Sequence, residues 1–301
     1  MEELKEKILE LKNEKNAVIL AHNYQVNEVQ LIADHLGDSL QLSRLAAEID
    51  NPVIVFCGVK FMAETAKVLS PDKTVLLPRL DAGCPMADML TVDDLRYLKK
   101  RHPNAKVVTY VNSTVEIKAE SDACCTSSNA VKVVSNIDSD EIIFVPDRNL
   151  GAYVQTKVPE KKIILFEGYC YVHNRIKKEE IESTKRDHLE AEIIVHPENR
   201  MEVIELADQV LSTGGMLKHV AGSDGKEFIV GTEQGLLERM KRENPGKEFY
   251  PAFLPKLCQN MKRTSLNDVY LALANDQYKI EIDERIAKQA VRSLDEMLKY
   301  I

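Results

Sequence analysis

Short, nearly continuous runs of β-branched and other apolar residues punctuate the chain, and between them lie longer stretches with apolar residues at helical spacing. The first pattern predicts strands covered on both faces and the second predicts amphipathic helices. Their alternation predicts parallel sheets with right-handed crossovers. Three of the runs end alike. AVILAHNY (17–24), KVVTYVN (106–112) and EIIVHPE (192–198) each deliver a ring residue, His22, Tyr110 or His196. Two places later comes a polar residue, Tyr24, Asn112 or Glu198. Seventeen residues after each ring stands a hydroxyl, Ser39, Ser127 or Thr213. A second apolar run closes each copy, at 53–57, 142–146 and 228–231. A helical stretch follows, then Pro-x-Lys (ending at Lys73, Lys161 and Lys247), a third short strand and a cysteine, Cys84, Cys170 or Cys258. The rings lie 88 and 86 residues apart and the cysteines 86 and 88. Four kinds of landmark kept in register mark a triplicated chain.

Each copy reads strand, helix, strand, helix, strand. The expected fold is α/β, with three homologous three-layer αβα domains and small parallel sheets in pseudo-threefold arrangement around a central active site. The expected boundaries are 1–86 with an N-terminal helix, 87–172, 173–260, and a C-terminal helical segment, 261–301, packing on the body. A unit this small buries too little surface to stand alone, so the three should pack around a shared axis. Leu4, Ile8 and Leu11 place an apolar stripe on the N-terminal helix; Ile282, Ile286, Ala290 and Leu294 do so on the C-terminal one.

Composition adds little beyond a class. With 44% hydrophobic and 29% charged residues the chain reads as soluble and globular. Forty basic against 48 acidic residues leave a net charge of −8, which argues against a nucleic-acid partner. No apolar run approaches the roughly 18 residues of a membrane span. The charged, amphipathic start MEELKEKILE is unlike a signal peptide, so a cytoplasmic protein is expected.

The chemistry lies at the ends of the strands, where ligands of parallel sheets bind. No CxxC pair occurs, so any metal must draw its ligands from distant segments. A threefold arrangement would gather Cys84, Cys170 and Cys258. Three thiolates fall one short of a structural zinc site but suit a [4Fe–4S] cluster with one open iron. Cys57, Cys124 and Cys125 fall outside this register and read as buried filler. His173, three residues after Cys170, is a candidate fourth ligand or a donor to one. Ser39, Ser127 and Thr213 fall at strand-to-helix junctions. One such hydroxyl would be a helix cap, whereas three converging ones favour an anionic ligand. His196 and Glu198 suit acid and base roles, and Tyr24 suits proton donation. Two other readings explain part of this pattern: a metabolite-binding protein with a three-cysteine zinc site, and an iron–sulfur dehydratase acting on a single hydroxy acid.

The segments AHNYQ (21–25), CGVKFMAETAK (57–67), GCPMADM (83–89), TYVNS (109–113), CTSSNA (125–130), PDRNLG (146–151), HPEN (196–199), LSTGGM (211–216) and CQNMK (258–262) resemble the quinolinate synthase family along essentially the whole chain. The resemblance implies a cytoplasmic enzyme of NAD biosynthesis. It would condense iminoaspartate with dihydroxyacetone phosphate, and release phosphate and water. It would carry one [4Fe–4S] cluster per chain on Cys84, Cys170 and Cys258. By the same matching, Tyr24, His196 and Glu198 are expected to be catalytic. His22, Ser39, Tyr110, Asn112, Ser127, Ser212 and Thr213 are expected to bind substrate. A transient contact with the enzyme that makes iminoaspartate is the only macromolecular partner this implies, with no nucleic acid or membrane. The chain departs from the family pattern at Lys60, often His, at Asn199, often Cys, and at Leu211, often Gly. It also lacks the further cysteines that some members carry after the last ligand.

Overall fold

A computed structural model describes residues 2–300. It contains twelve strands in three separate four-stranded sheets, every pairing parallel. The first unit holds β1 (Ala17–His22), β2 (His35–Gly37), β3 (Val53–Cys57) and β4 (Thr74–Leu76). The second holds β5 (Lys106–Tyr110), β6 (Ala123–Cys125), β7 (Glu141–Val145) and β8 (Lys162–Leu165). The third holds β9 (Glu192–Val195), β10 (Gln209–Val210), β11 (Glu227–Gly231) and β12 (Glu248–Pro251). All three share one order, second–first–third–fourth, as in β2-β1-β3-β4. The α/β class and the three small parallel sheets are therefore as the sequence pattern predicts. The second strand of each sheet is new. At two or three residues, β2, β6 and β10 are too short to register as periodic runs.

Two side chains repeated in every unit set this topology. Asp34, Asp122 and Asp208 stand five residues before the three hydroxyls. Each carboxylate accepts the backbone N–H of a first-strand residue, Ile19, Val107 or Ile193, at 2.8 Å, and so ties the entry of the short second strand to the first. The lysine of each Pro-x-Lys motif donates to carbonyls at the C-terminal end of the helix before the third strand. Lys73 reaches Ala46 and Ile49, Lys161 reaches Ile137, and Lys247 reaches Val220 and Ser223. An ammonium there meets the negative end of the helix dipole and satisfies carbonyls with no helical partner.

Alternate residues of the central strands point to opposite faces. Val18 and Leu20 of β1 join a core shared with Val108 of β5 and Ile194 of β9, so one continuous apolar cluster unites the three units. The other face of each sheet has its own cluster. On the first unit, Ala17, Ile19 and Ala21 are covered by Ile8 of the helix Glu2–Glu14 and by Leu266, Val269 and Leu273 of the helix Leu266–Asn275. The helix Glu284–Leu298 packs on the second unit, where Ser293 Oγ donates to the Lys118 carbonyl at 2.8 Å. Both chain ends thus close apolar faces that a single unit leaves open. No described helix is long and apolar enough to cross a membrane.

Candidate active site

The carboxyl ends of β1, β5 and β9 open on one cavity of about 70 Å³. Its wall includes His22, Tyr24, Ser39, Tyr110, Asn112, Ser127, His196, Glu198 and Thr213, together with Cys84, Cys170 and Cys258. Residues up to 236 positions apart are therefore neighbours here. Ser212 is the one sequence-expected position that does not line it. Its hydroxyl caps the helix Thr213–Gly222 by accepting the Gly215 N–H at 3.1 Å. Leu211 leaves this cap intact, and its own N–H extends the sheet by bonding the Val195 carbonyl.

The hydroxyl that lines the cavity and the group that caps the adjacent helix are different residues throughout. Asp38, not Ser39, caps the helix Ser39–Glu48 through the Gln41 N–H. Ser127 precedes Asn129, the N-cap position of the helix Ala130–Asn136. Thr213 follows Ser212. Ser212 Oγ donates to the cap Asp38 at Oδ2 over 3.2 Å, and Ser128 Oγ, one residue before the Asn129 cap position, donates to the same oxygen at 2.9 Å. Gly214 must lack a side chain here, because a Cβ would stand 2.6 Å from the same oxygen.

His22 and His196 are held by one device. The Nδ1 of each accepts the backbone N–H two residues on, from Tyr24 at 3.1 Å and from Glu198 at 3.4 Å. The proton of each neutral ring then sits on Nε2. His196 Nε2 donates to Ser127 Oγ at 3.1 Å. Burial pushes the proton affinity of both rings down, to a pKa of about 3, so both are neutral near pH 7.

Glu198 is buried at the turn after β9. Burial alone would raise its pKa. The adjoining His173, in contact with the carboxylate, outweighs that with help from Tyr110 and brings it down to about 2. The shortest of these contacts joins His173 Nδ1 to Glu198 Oε2 at 2.5 Å. His173 Nδ1 also lies 3.3 Å from Cys170 Sγ, and its Nε2 lies 2.9 Å from Thr232 Oγ1. Thr232 in turn bonds the Tyr24 hydroxyl at 2.7 Å. One chain of contacts therefore links Tyr24, Thr232, His173 and Glu198. Spacing alone offered His173 as a ligand or a donor, and it is placed as a hydrogen-bond partner of the carboxylate.

The three cavity cysteines are partly exposed, whereas Cys57, Cys124 and Cys125 are buried within the strands. Their loops repeat a single construction. Lys60 N–H donates to the Ala82 carbonyl, Arg148 N–H to Gly168 and Gln234 N–H to Lys256, each carbonyl two residues before a cysteine. Backbone N–H groups just downstream act to lower each thiol's pKa: those of Met86 and Ala87 for Cys84, His173 for Cys170, and Asn260 and Met261 for Cys258. Desolvation still holds all three thiols above their usual range. A bound metal would supply the positive charge that favours the thiolate form of such cysteines. The donor set fits a three-cysteine iron–sulfur site. Cys170, His173 and Glu198 also offer ligand atoms within 4.8 Å of one another.

A family model described as NadA, quinolinate synthetase A protein, matches residues 6–299. Curated relatives named quinolinate synthase agree from end to end. That of Dehalococcoides mccartyi is 55% identical over 293 residues, 97% of each chain. That of Thermodesulfovibrio yellowstonii is 54% identical over 296 residues, 98% of each. That of Caldicellulosiruptor saccharolyticus is 52% identical over 299 residues, 99% of each. The strand-end rings, hydroxyls and cysteines that meet in one cavity therefore lie on a chain that belongs to the quinolinate synthase family.

Proposed function

We propose that the chain makes quinolinate for NAD biosynthesis by a transferase-class condensation of iminoaspartate with dihydroxyacetone phosphate, releasing phosphate and water. The observation that carries this reading is the convergence of three repeat-related cysteines with Tyr24, His196 and Glu198 on one cavity. Cys84, Cys170 and Cys258 are the residues that would hold a [4Fe–4S] cluster. Bound there, the cluster supplies an open iron that is Lewis-acidic toward substrate oxygens.

The remaining work falls to side chains. Glu198 is ionised and faces the cavity, so it can take a proton from carbon, as carbon–carbon bond formation and aromatisation both require. The Tyr24 hydroxyl, fixed by Thr232, is placed to donate a proton or orient a carbonyl. Ser39, Ser127 and Thr213 are free of capping duty, and with Asn112 they suit the phosphate and carboxylate groups of two anionic substrates. Neutral His22 and His196 donate through Nε2 without adding charge.

The test is an anaerobic assay with iminoaspartate generated in place and dihydroxyacetone phosphate, following quinolinate by its absorbance. Quinolinate formation that needs both substrates is expected; turnover of a single hydroxy acid with no triose phosphate would overturn the reading. Replacing Cys84, Cys170 or Cys258 by Ser should remove iron and activity together, and replacing Cys57, Cys124 or Cys125 should leave both nearly intact. Full iron content in a Cys170→Ser protein would sink the ligand assignment.

A further inference from the structure

The cavity is meant for anions yet has no Lys or Arg in its wall, which instead carries Asp38, Glu198 and three thiols. Behind the wall lies a buried cation with no assigned role, Lys118, on the short helix Val115–Ala119. It is 1% exposed and among the largest fully buried side chains of the protein. Its ammonium donates to the Ser113 carbonyl at 2.6 Å and lies 5.4 Å from the centre of the Phe61 ring. Phe61 lines the cavity, and so does Asn112, the neighbour of Ser113. Among the described residues Lys118 makes no ion pair; Glu64, the closest candidate on the facing helix, is paired with Lys60 at 3.5 Å. Burial brings its pKa below the ordinary lysine value, and Cys124, Glu64, Glu116 and Cys84 offset part of that. Close by, Asn112 Oδ1 and Ser113 Oγ are buried with no hydrogen-bond partner.

A buried cation without a carboxylate partner is costly, and surface-like explanations do not apply to it. We infer that Lys118 is the counter-charge of the cavity: a positioning residue that never touches the ligand, anchors the Asn112–Ser113 wall against Phe61, and selects dianionic carboxylate or phosphate ligands through its unscreened field. This rests on the quinolinate-forming reading above. In a low-dielectric interior, one such charge changes the affinity for a dianion by about tenfold or more. Because it is buried, salt should barely weaken it, in contrast to steering by surface charge.

The experiment measures binding of quinolinate, and of its uncharged diamide, to the anaerobically prepared protein by calorimetry. Lys118→Met should keep its iron and its circular dichroism, lose about tenfold or more in quinolinate affinity, and leave diamide affinity unchanged. Lys118→Arg, which retains the charge, should recover most of the loss. In the wild type, the preference for quinolinate over the diamide should persist from low salt to about 0.5 M. That last measurement carries the test if the variants fail to fold. Unchanged quinolinate affinity in folded Lys118→Met, an equal loss for the diamide, or a wild-type preference that collapses in salt would overturn the inference. A wild type that neither forms nor binds quinolinate would instead sink the functional reading.

Discussion

The turns that follow β1 and β9 are built alike and act differently. In each, a buried histidine accepts the amide N–H of the residue two places on and is thereby neutral, with Nε2 left to donate. In the first unit the residue two places on is Tyr24, whose hydroxyl meets Thr232. In the third it is Glu198, whose carboxylate meets His173. The strand, the turn and the ring are common to both; one side chain separates a neutral donor from an ionised acceptor. A triplicated scaffold can therefore build an asymmetric site while keeping the same backbone at each corner.

The largest expected effect breaks that asymmetry at its acidic end. Glu198→Gln keeps the shape and removes the base, and turnover should fall by on the order of 10²–10⁴ while iron is retained. Near-normal turnover would leave Glu198 as a partner of His173 and move the search for the base to Tyr24 or His196.

The shared half of the device has its own signature, in stability. Both histidines bind protons far more weakly in the folded chain, at about 3, than the ordinary 6.5. Between these values the unfolded chain holds protons that the folded chain refuses, so stability falls as pH falls. Each ring should contribute a slope approaching about 1.4 kcal/mol per pH unit below pH 6. Urea unfolding of cluster-free protein at pH 7 and pH 5 measures it. His22→Gln and His196→Gln should each flatten the dependence, and an unchanged slope would show that the rings are protonated in the fold.

Tyr24→Phe tests the neutral end. Thr232 keeps His173 as a partner, so the loss should be that of one positioned hydroxyl, about tenfold in kcat. A loss as deep as that of Glu198→Gln would erase the distinction between the two corners.

The smallest effects separate cap from wall in the third unit. Ser212→Ala should cost about 1 kcal/mol of stability through the lost cap and leave the Michaelis constants nearly unchanged. Thr213→Val, one residue on, should do the reverse. Raised Michaelis constants in Ser212→Ala, measured beside thermal unfolding, would put Ser212 back among the substrate-binding residues.

The single expected position that fell outside the cavity shows how far pattern reading reaches. Ser212 and Thr213 are adjacent hydroxyls in one motif, and spacing alone cannot say which one caps the helix. The same holds for Asp38 and Ser39. Asp34, Asp122 and Asp208 repeat as faithfully as the cysteines and were legible in principle, but a lone acidic residue between helices carries no periodic signal. The three short strands they tie down went unseen for the same reason. Lys118 carries no motif or periodic signal, and only the fold shows its ammonium buried between the Ser113 carbonyl and the Phe61 ring.

Everything legible along the chain is something that repeats: three copies, their parallel sheets, and the rings, hydroxyls and cysteines at the strand ends. These follow from local periodicity and register, which each stretch of chain carries within itself. Only the tertiary structure decided which side chains are partners. His173 with Glu198, Tyr24 with Thr232, and Ser127 with His196 join residues 25 to 208 positions apart. Burial, and with it the charge state of each group, depends on the neighbours that other segments bring, and no single segment encodes its own surroundings.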